Sequence, residues 1–133
     1  VTSILVRHAW AGHWGDWGDD DRLRPLDSRG RRQAEELVEL FSRFEVRRIV
    51  SSPYLRCVAT VEPLAAALGL TVEHDDRLGE GAGGRGAAEL LREEGLVACT
   101  HGDVAEEVLG HGLKKGAAVV LDDGAVVGRI KAP

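Results

Sequence analysis

What most limits the folds open to this chain is its alternation of short strand-like runs with helical stretches. Apolar runs rich in β-branched residues occur as TSILV (2–6), RRIVS (47–51), LTVE (70–73), LVACT (96–100), AAVVL (117–121) and AVVGRI (125–130). Each is the length of a buried strand. The last two flank Asp122-Asp123-Gly124, a hairpin turn signal. Helical stretches lie between the others. In SRGRRQAEELVELFSRF, Ala34, Leu37, Val38 and Phe41 recur at helical spacing behind Ser28, an expected N-cap. YLRCVATVEPLAAALG ends on Gly69, a good residue for closing a helix, and Pro63 predicts a kink or break within it. GAAELLREEG and GDVAEEVLG read as two shorter helices. Strands alternating with helices predict an α/β fold: a three-layer α/β/α sandwich with a mostly parallel central sheet and an antiparallel hairpin at its C-terminal edge. With 133 residues, no internal repeat and no long linker, the expectation is one domain over 1–133.

Charge and composition narrow the function. A net charge of −5 argues against a general polyanion binder, so no nucleic-acid partner is expected. No apolar run approaches the length of a membrane span, and the first residues lack a signal-peptide pattern. Cys57 and Cys99 are too few for a disulfide framework or a paired-thiol metal site, which favours a reducing, cytoplasmic setting. His13, His74 and His111 lack metal-ligand spacing and read as surface residues. Asp19-Asp20-Asp21 reads as a run facing water. Trp10, Trp14 and Trp17 crowd into eight residues; this loop either packs against the body of the protein or forms an aromatic rim for a substrate or partner.

In open α/β sheets, ligands bind beyond the carboxyl ends of the parallel strands. Three strand ends here carry similar chemistry. Arg7 and His8 follow ILV, Arg56 sits in the turn after RIVSSPYL, and His101 and Gly102 follow LVACT. Glu80 follows TVEHDDRL. Guanidinium groups bind phosphate oxygens in a planar fork and stay charged. Backbone amides at a helix start near Gly102 would add attraction for the same anion. A neutral imidazole can attack bound phosphorus, a second imidazole can stabilise the charge that spreads over the oxygens, and a carboxyl group can move the proton. This set needs neither metal nor cofactor for phosphomonoester hydrolysis.

LVRHA, SSPYLRCVAT, DDRLGE and THGD resemble, in order, the four motifs of the histidine phosphatase superfamily, the phosphoglycerate mutase-like fold. The resemblance implies His8 as the phosphorylated nucleophile, Arg7, Arg56 and His101 as the rest of the phosphate pocket, and Glu80 at the proton-donor position. The short chain and DDRLRPLDSRGRRQAEEL look most like the small, SixA-like branch that includes bacterial phosphohistidine phosphatases. A similar domain also occurs behind a Nudix hydrolase domain in some bacteria. This sequence has Ala9 and Trp10 where the family often has Gly and Glu, and GAGGRGAAE follows Glu80 instead of a bulky, aromatic continuation. Glu80 can therefore be read as the general acid or as a solvated loop carboxylate. The expected partner is a phosphorylated small molecule or a phosphohistidine protein. Two rivals share the pocket: a phosphoglycerate mutase-type phosphotransferase and a phospho-ligand binding module with little turnover.

Overall fold

The structure is a computed structural model and describes residues 2–133. Among the described residues the strands are β1 (Thr2–Arg7), β2 (Arg48–Ser51), β3 (Val72–His74), β4 (Leu96–Thr100), β5 (Ala118–Asp122) and β6 (Ala125–Ile130). The helices are α1 (Ser28–Leu40), α2 (Leu55–Leu68), α3 (Arg85–Leu90) and α4 (Gly102–Leu109). The sheet order is β3-β2-β4-β1-β5-β6. β1 to β4 run parallel, whereas β5 pairs antiparallel with β1, and β6 antiparallel with β5. The sandwich with a C-terminal edge hairpin expected from the alternation is the one observed.

Side chains of successive strand residues point to opposite faces, and the core divides accordingly. Ile4, Val6, Ile49, Val97 and Cys99 pack with Leu37 of α1, Phe41 just after it, and Val61 and Leu64 of α2. Leu5, Val50, Leu96 and Ala98 pack on the other face with Ala87 and Leu90 of α3 and Val104 and Ala105 of α4. Both cysteines are buried in the first cluster and carry free thiols.

Two local expectations shift. The N-cap of α1 is Asp27, whose carboxylate accepts from the Gly30 amide at 2.8 Å; Ser28 is the first helical residue. Both residue types cap well, and the carboxylate also answers the positive end of the helix. α2 runs through Pro63 without a break. Burial of Val61, Leu64 and Ala65 on either side of the proline offsets the lost backbone hydrogen bond.

Parallel pairing aligns the ends of three adjacent strands. Arg7 stands opposite Thr100, and Ser51 opposite Cys99, so the segments that leave β1, β4 and β2 emerge side by side. The chain after β1 is pinned to α1: the Trp10 carbonyl accepts from the Asp27 amide at 3.0 Å. A Cβ on Gly30 would stand 1.9 Å from that Trp10 oxygen. Gly30→Ala is therefore expected to destabilise the fold by about 3 kcal/mol, near the upper end of overpacking costs. Urea unfolding of the variant checks this; a midpoint equal to that of the unaltered chain would show that Trp10 yields freely.

Candidate active site

Arg7 ends β1, and its backbone amide donates to Ala117 while the His8 amide donates to Thr100. The Ala9 amide donates to the Thr60 hydroxyl at 2.9 Å, and that hydroxyl donates to the Arg56 carbonyl at 2.7 Å. One threonine of α2 thus couples the segment carrying His8 to the turn of helix carrying Arg56. His101 caps the start of α4 directly after β4.

These side chains meet. A cavity of about 510 Å³ is lined by Arg7, His8, Arg56, Glu80, His101 and Gly102, together with residues of the 12–14 loop, Arg24 and Lys115. The rings of His8 and His101 lie edge to face with centroids 5.5 Å apart. Gly102 lets the Arg7 guanidinium lie close, because a Cβ there would stand 2.8 Å from the Arg7 Cζ and push it aside. The site residues read from the sequence come together at one end of the sheet.

Each imidazole has its protons directed. His8 Nδ1 lies 2.8 Å from the Ala9 carbonyl, an acceptor, so Nδ1 carries the hydrogen and Nε2 keeps its lone pair. Burial pushes the His8 pKa down to about 3, helped by His101, Arg56 and Arg7 and opposed by the Ala9 hydrogen bond. The ring is thus an uncharged base near neutral pH. His101 Nε2 sits 2.8 Å from the Ser52 hydroxyl, which also accepts from the Tyr54 amide. When the Ser52 hydroxyl gives its hydrogen to Nε2, the His101 hydrogen lies on Nδ1.

Arg56 is almost fully buried, 1% exposed. Its Nη2 donates to Glu80 at 2.7 Å and Asp21 at 3.1 Å, while Nη1 donates to the Asp21 carbonyl at 2.8 Å. Arg7 Nη1 donates to the Leu113 carbonyl at 2.9 Å. Among the described residues three buried polar atoms, Arg7 Nε, Arg56 Nε and His101 Nδ1, have no hydrogen-bond partner within the protein. Leaving such groups unpaired costs on the order of 1–3 kcal/mol each, and all three belong to side chains that line one cavity.

The family model of the histidine phosphatase superfamily, branch 1, matches residues 4–94. The chain belongs to the histidine phosphatase superfamily. It is 41% identical over 81 residues to an 8-oxo-(d)GTP phosphatase of Mycolicibacterium smegmatis, a match covering 61% of this chain and 25% of that protein. The chain thus spans about a quarter of the length of that relative. Its fold is similar to that of the protein histidine phosphatase SixA solved with tungstate (TM-score 0.80, 19% identity, 98% of this chain and 96% of that one). It is also similar in fold to a phosphoserine phosphatase of Entamoeba histolytica solved with 3-phosphoglyceric acid (TM-score 0.75, 16% identity, 98% and 97% covered).

Residues to which the sequence assigned no role also support the site. Asp21 was expected to face water; instead its carboxylate bridges Arg56 and Arg24. Ser52 orients His101. His13 is exposed as expected, yet it lines the cavity with Trp14. The tryptophans divide: Trp17 Nε1 donates to the Asp20 carbonyl at 2.9 Å, Trp10 packs under Arg29 and Lys115, and Trp14 stays 71% exposed. Packing against the body of the protein thus describes Trp10 and Trp17, while Trp14 stands exposed at the cavity. Glu80 reaches the pocket, with Oε2 3.6 Å from His101 Nδ1.

The buried His8 also sets a pH dependence of stability. Its native pKa of about 3 lies below the unfolded value of 6.5, so on acidification the unfolded chain takes up this proton first. The stability associated with His8 is complete above pH 6.5 and declines as pH falls toward 3, by roughly 3–5 kcal/mol. Urea unfolding between pH 7 and pH 4 should give a shallower loss of stability for His8→Ala than for the unaltered chain. Equal slopes would show that His8 is protonated in the native state.

Proposed function

We propose that this protein is a phosphohydrolase that works through a covalent phospho-His8 intermediate, on a phosphomonoester or on protein phosphohistidine. The phosphoryl oxygens bind Arg7, Arg56, His101 Nδ1 and the amides at the Gly102 helix start. The guanidinium groups supply positive charge on two sides of the phosphorus, and His101 meets the charge that develops on the oxygens. His8 Nε2 attacks phosphorus; the N–P bond forms as the bond to the leaving oxygen breaks, and Glu80, freed from Arg56 and protonated from solvent, gives that oxygen its proton. Water then attacks phosphorus, Glu80 takes its proton, and the electron pair of the N–P bond returns to Nε2. Anion binding at Arg56 first displaces the Glu80 carboxylate from Nη2.

The observation that carries this reading is the grouping of three unpartnered buried polar atoms with an uncharged imidazole at one cavity. A relative that acts as an 8-oxo-(d)GTP phosphatase and fold neighbours named as histidine and serine phosphatases support the class. Incubation with p-nitrophenyl phosphate and, separately, with a phosphohistidine-bearing protein tests it. The expected result is release of inorganic phosphate from at least one of them. Transfer to a second organic acceptor without phosphate release would instead mark a mutase, and tight anion binding without turnover would mark a sensor.

A further inference from the structure

The cavity extends past the phosphate seat to a cationic and aromatic rim that hydrolysis of a simple monoester leaves unused. Lys115 lines it, half-buried, with its Nζ 4.3 Å from the centre of the Trp10 ring. Arg29 lies against the same ring, also at 4.3 Å. Among the described residues no carboxylate comes within ion-pair distance of Lys115. Burial lowers its pKa, and so do Arg7, Arg24 and Arg29, against the opposite pull of Asp27. A lysine held among arginines without an anion of its own is electrostatically unsatisfied. Arg24, with a side chain 11% exposed, also lines the cavity; it donates to Asp21 and to the Ala11 and Gly12 carbonyls, at the stem of the segment bearing His13 and Trp14.

At that stem the Trp14 ring lies 71% exposed, the most exposed of the large hydrophobic side chains described. It stacks on His13 with an interplanar angle of 21° and centroids 6.0 Å apart. A flat, wet aromatic pair at a cavity mouth is a stacking platform for a planar ring. Asp103 and Glu106 also line the cavity and repel anions, so Lys115 and the arginines are the groups open to further phosphate.

We infer that the pocket holds a second subsite in which Lys115 receives a further phosphate and the Trp14–His13 pair stacks a nucleobase, so that the ligand is a nucleoside diphosphate. The inference rests on the phosphatase reading above and names its substrate class. The terminal phosphorus sits in the seat formed by Arg7, Arg56 and His101. His8 Nε2 forms the N–P bond while the bridging P–O bond breaks, its electron pair leaving on the nucleoside monophosphate. That leaving phosphate carries the charge on its own oxygens and requires no proton from Glu80. Water then releases inorganic phosphate as before, for a net conversion of nucleoside diphosphate and water into nucleoside monophosphate and phosphate. A phosphohistidine protein offers neither the second phosphate nor the base.

The test compares kcat/KM for guanosine diphosphate, guanosine monophosphate and inorganic pyrophosphate, with p-nitrophenyl phosphate as the measure of phosphatase chemistry itself. A charge-assisted contact and a stacked base are each worth about tenfold, so the diphosphate should exceed the other two by about that factor. Lys115→Gln should shrink the diphosphate-to-monophosphate ratio, and Trp14→Ala the diphosphate-to-pyrophosphate ratio. Turnover of p-nitrophenyl phosphate with equal rates for the three phosphates, or ratios that neither variant changes, would overturn the subsite while leaving the phosphatase reading intact. Faster turnover of a phosphohistidine protein than of the diphosphate would do the same. Should no phosphate be turned over, calorimetric binding of guanosine diphosphate to the His8→Ala variant decides the subsite separately: binding weakened about tenfold by Lys115→Gln supports it, and equal binding ends it.

Discussion

His8→Ala is expected to lower kcat for p-nitrophenyl phosphate by about 10⁴-fold or more, the largest effect of any single substitution here. On the proposed mechanism the variant loses the group that forms the N–P bond, whereas the cavity keeps both guanidinium groups and His101. Substrate binding should accordingly persist, and a phosphate or tungstate ion should still protect the variant against thermal unfolding. The alanine leaves a small polar gap beside Ala9 and breaks no ion pair, so the variant should fold. Direct attack by water is then the only route left, and water lacks both the nucleophilicity and the fixed position of Nε2. Turnover within tenfold of the unaltered chain would mean that another group forms the intermediate or that none is formed.

Arg56→Ala should lower kcat/KM by about 10³-fold, because loss of one buried, charge-assisted fork on a phosphoryl group removes several kcal/mol of transition-state stabilisation. Arg56→Lys is expected to recover little of it. An ammonium group supplies the charge but cannot bond both Asp21 and a phosphate oxygen from one rigid plane. The two variants should differ in stability, since the lysine retains a cation for Asp21 and Glu80 and the alanine retains none. Those carboxylates are 44% and 50% exposed, so the stability difference is expected to be small beside the catalytic one. Activity of Arg56→Lys within about tenfold of the unaltered chain would show that charge alone suffices there.

The sheet was legible because each buried strand stops where its apolar run stops, and the residues just past ILV, RIVS and LVACT are the ones brought together. Adjacency of β1, β4 and β2 was not written in any run; it follows from the crossover topology, and only the coincidence of similar strand ends hinted at it. Local chemistry was read correctly where it rests on near neighbours, as at Gly69, whose left-handed backbone closes α2. It was misread where tertiary contact decides. Asp21 belongs to an acidic run that looks solvated, yet the fold lays it across Arg56 and Arg24 from 35 and 3 residues away. Lys115 follows no motif, and its place beside Trp10 depends on the strand connection after α4 packing over the start of α1. Ser52 could have been singled out, since a hydroxyl next to a strand end is well placed to fix a histidine from the neighbouring strand. The alternation that located β2 gave no sign of that role.

Phosphorylation of His8 can be read by rapid quenching into alkali after mixing with radiolabelled p-nitrophenyl phosphate, followed by peptide mass spectrometry. An acid-labile, alkali-stable phosphoryl group is expected on the peptide containing residues 7–9 and absent from His8→Ala. Full turnover with no phosphorylated peptide, or with the label on His101, would contradict it.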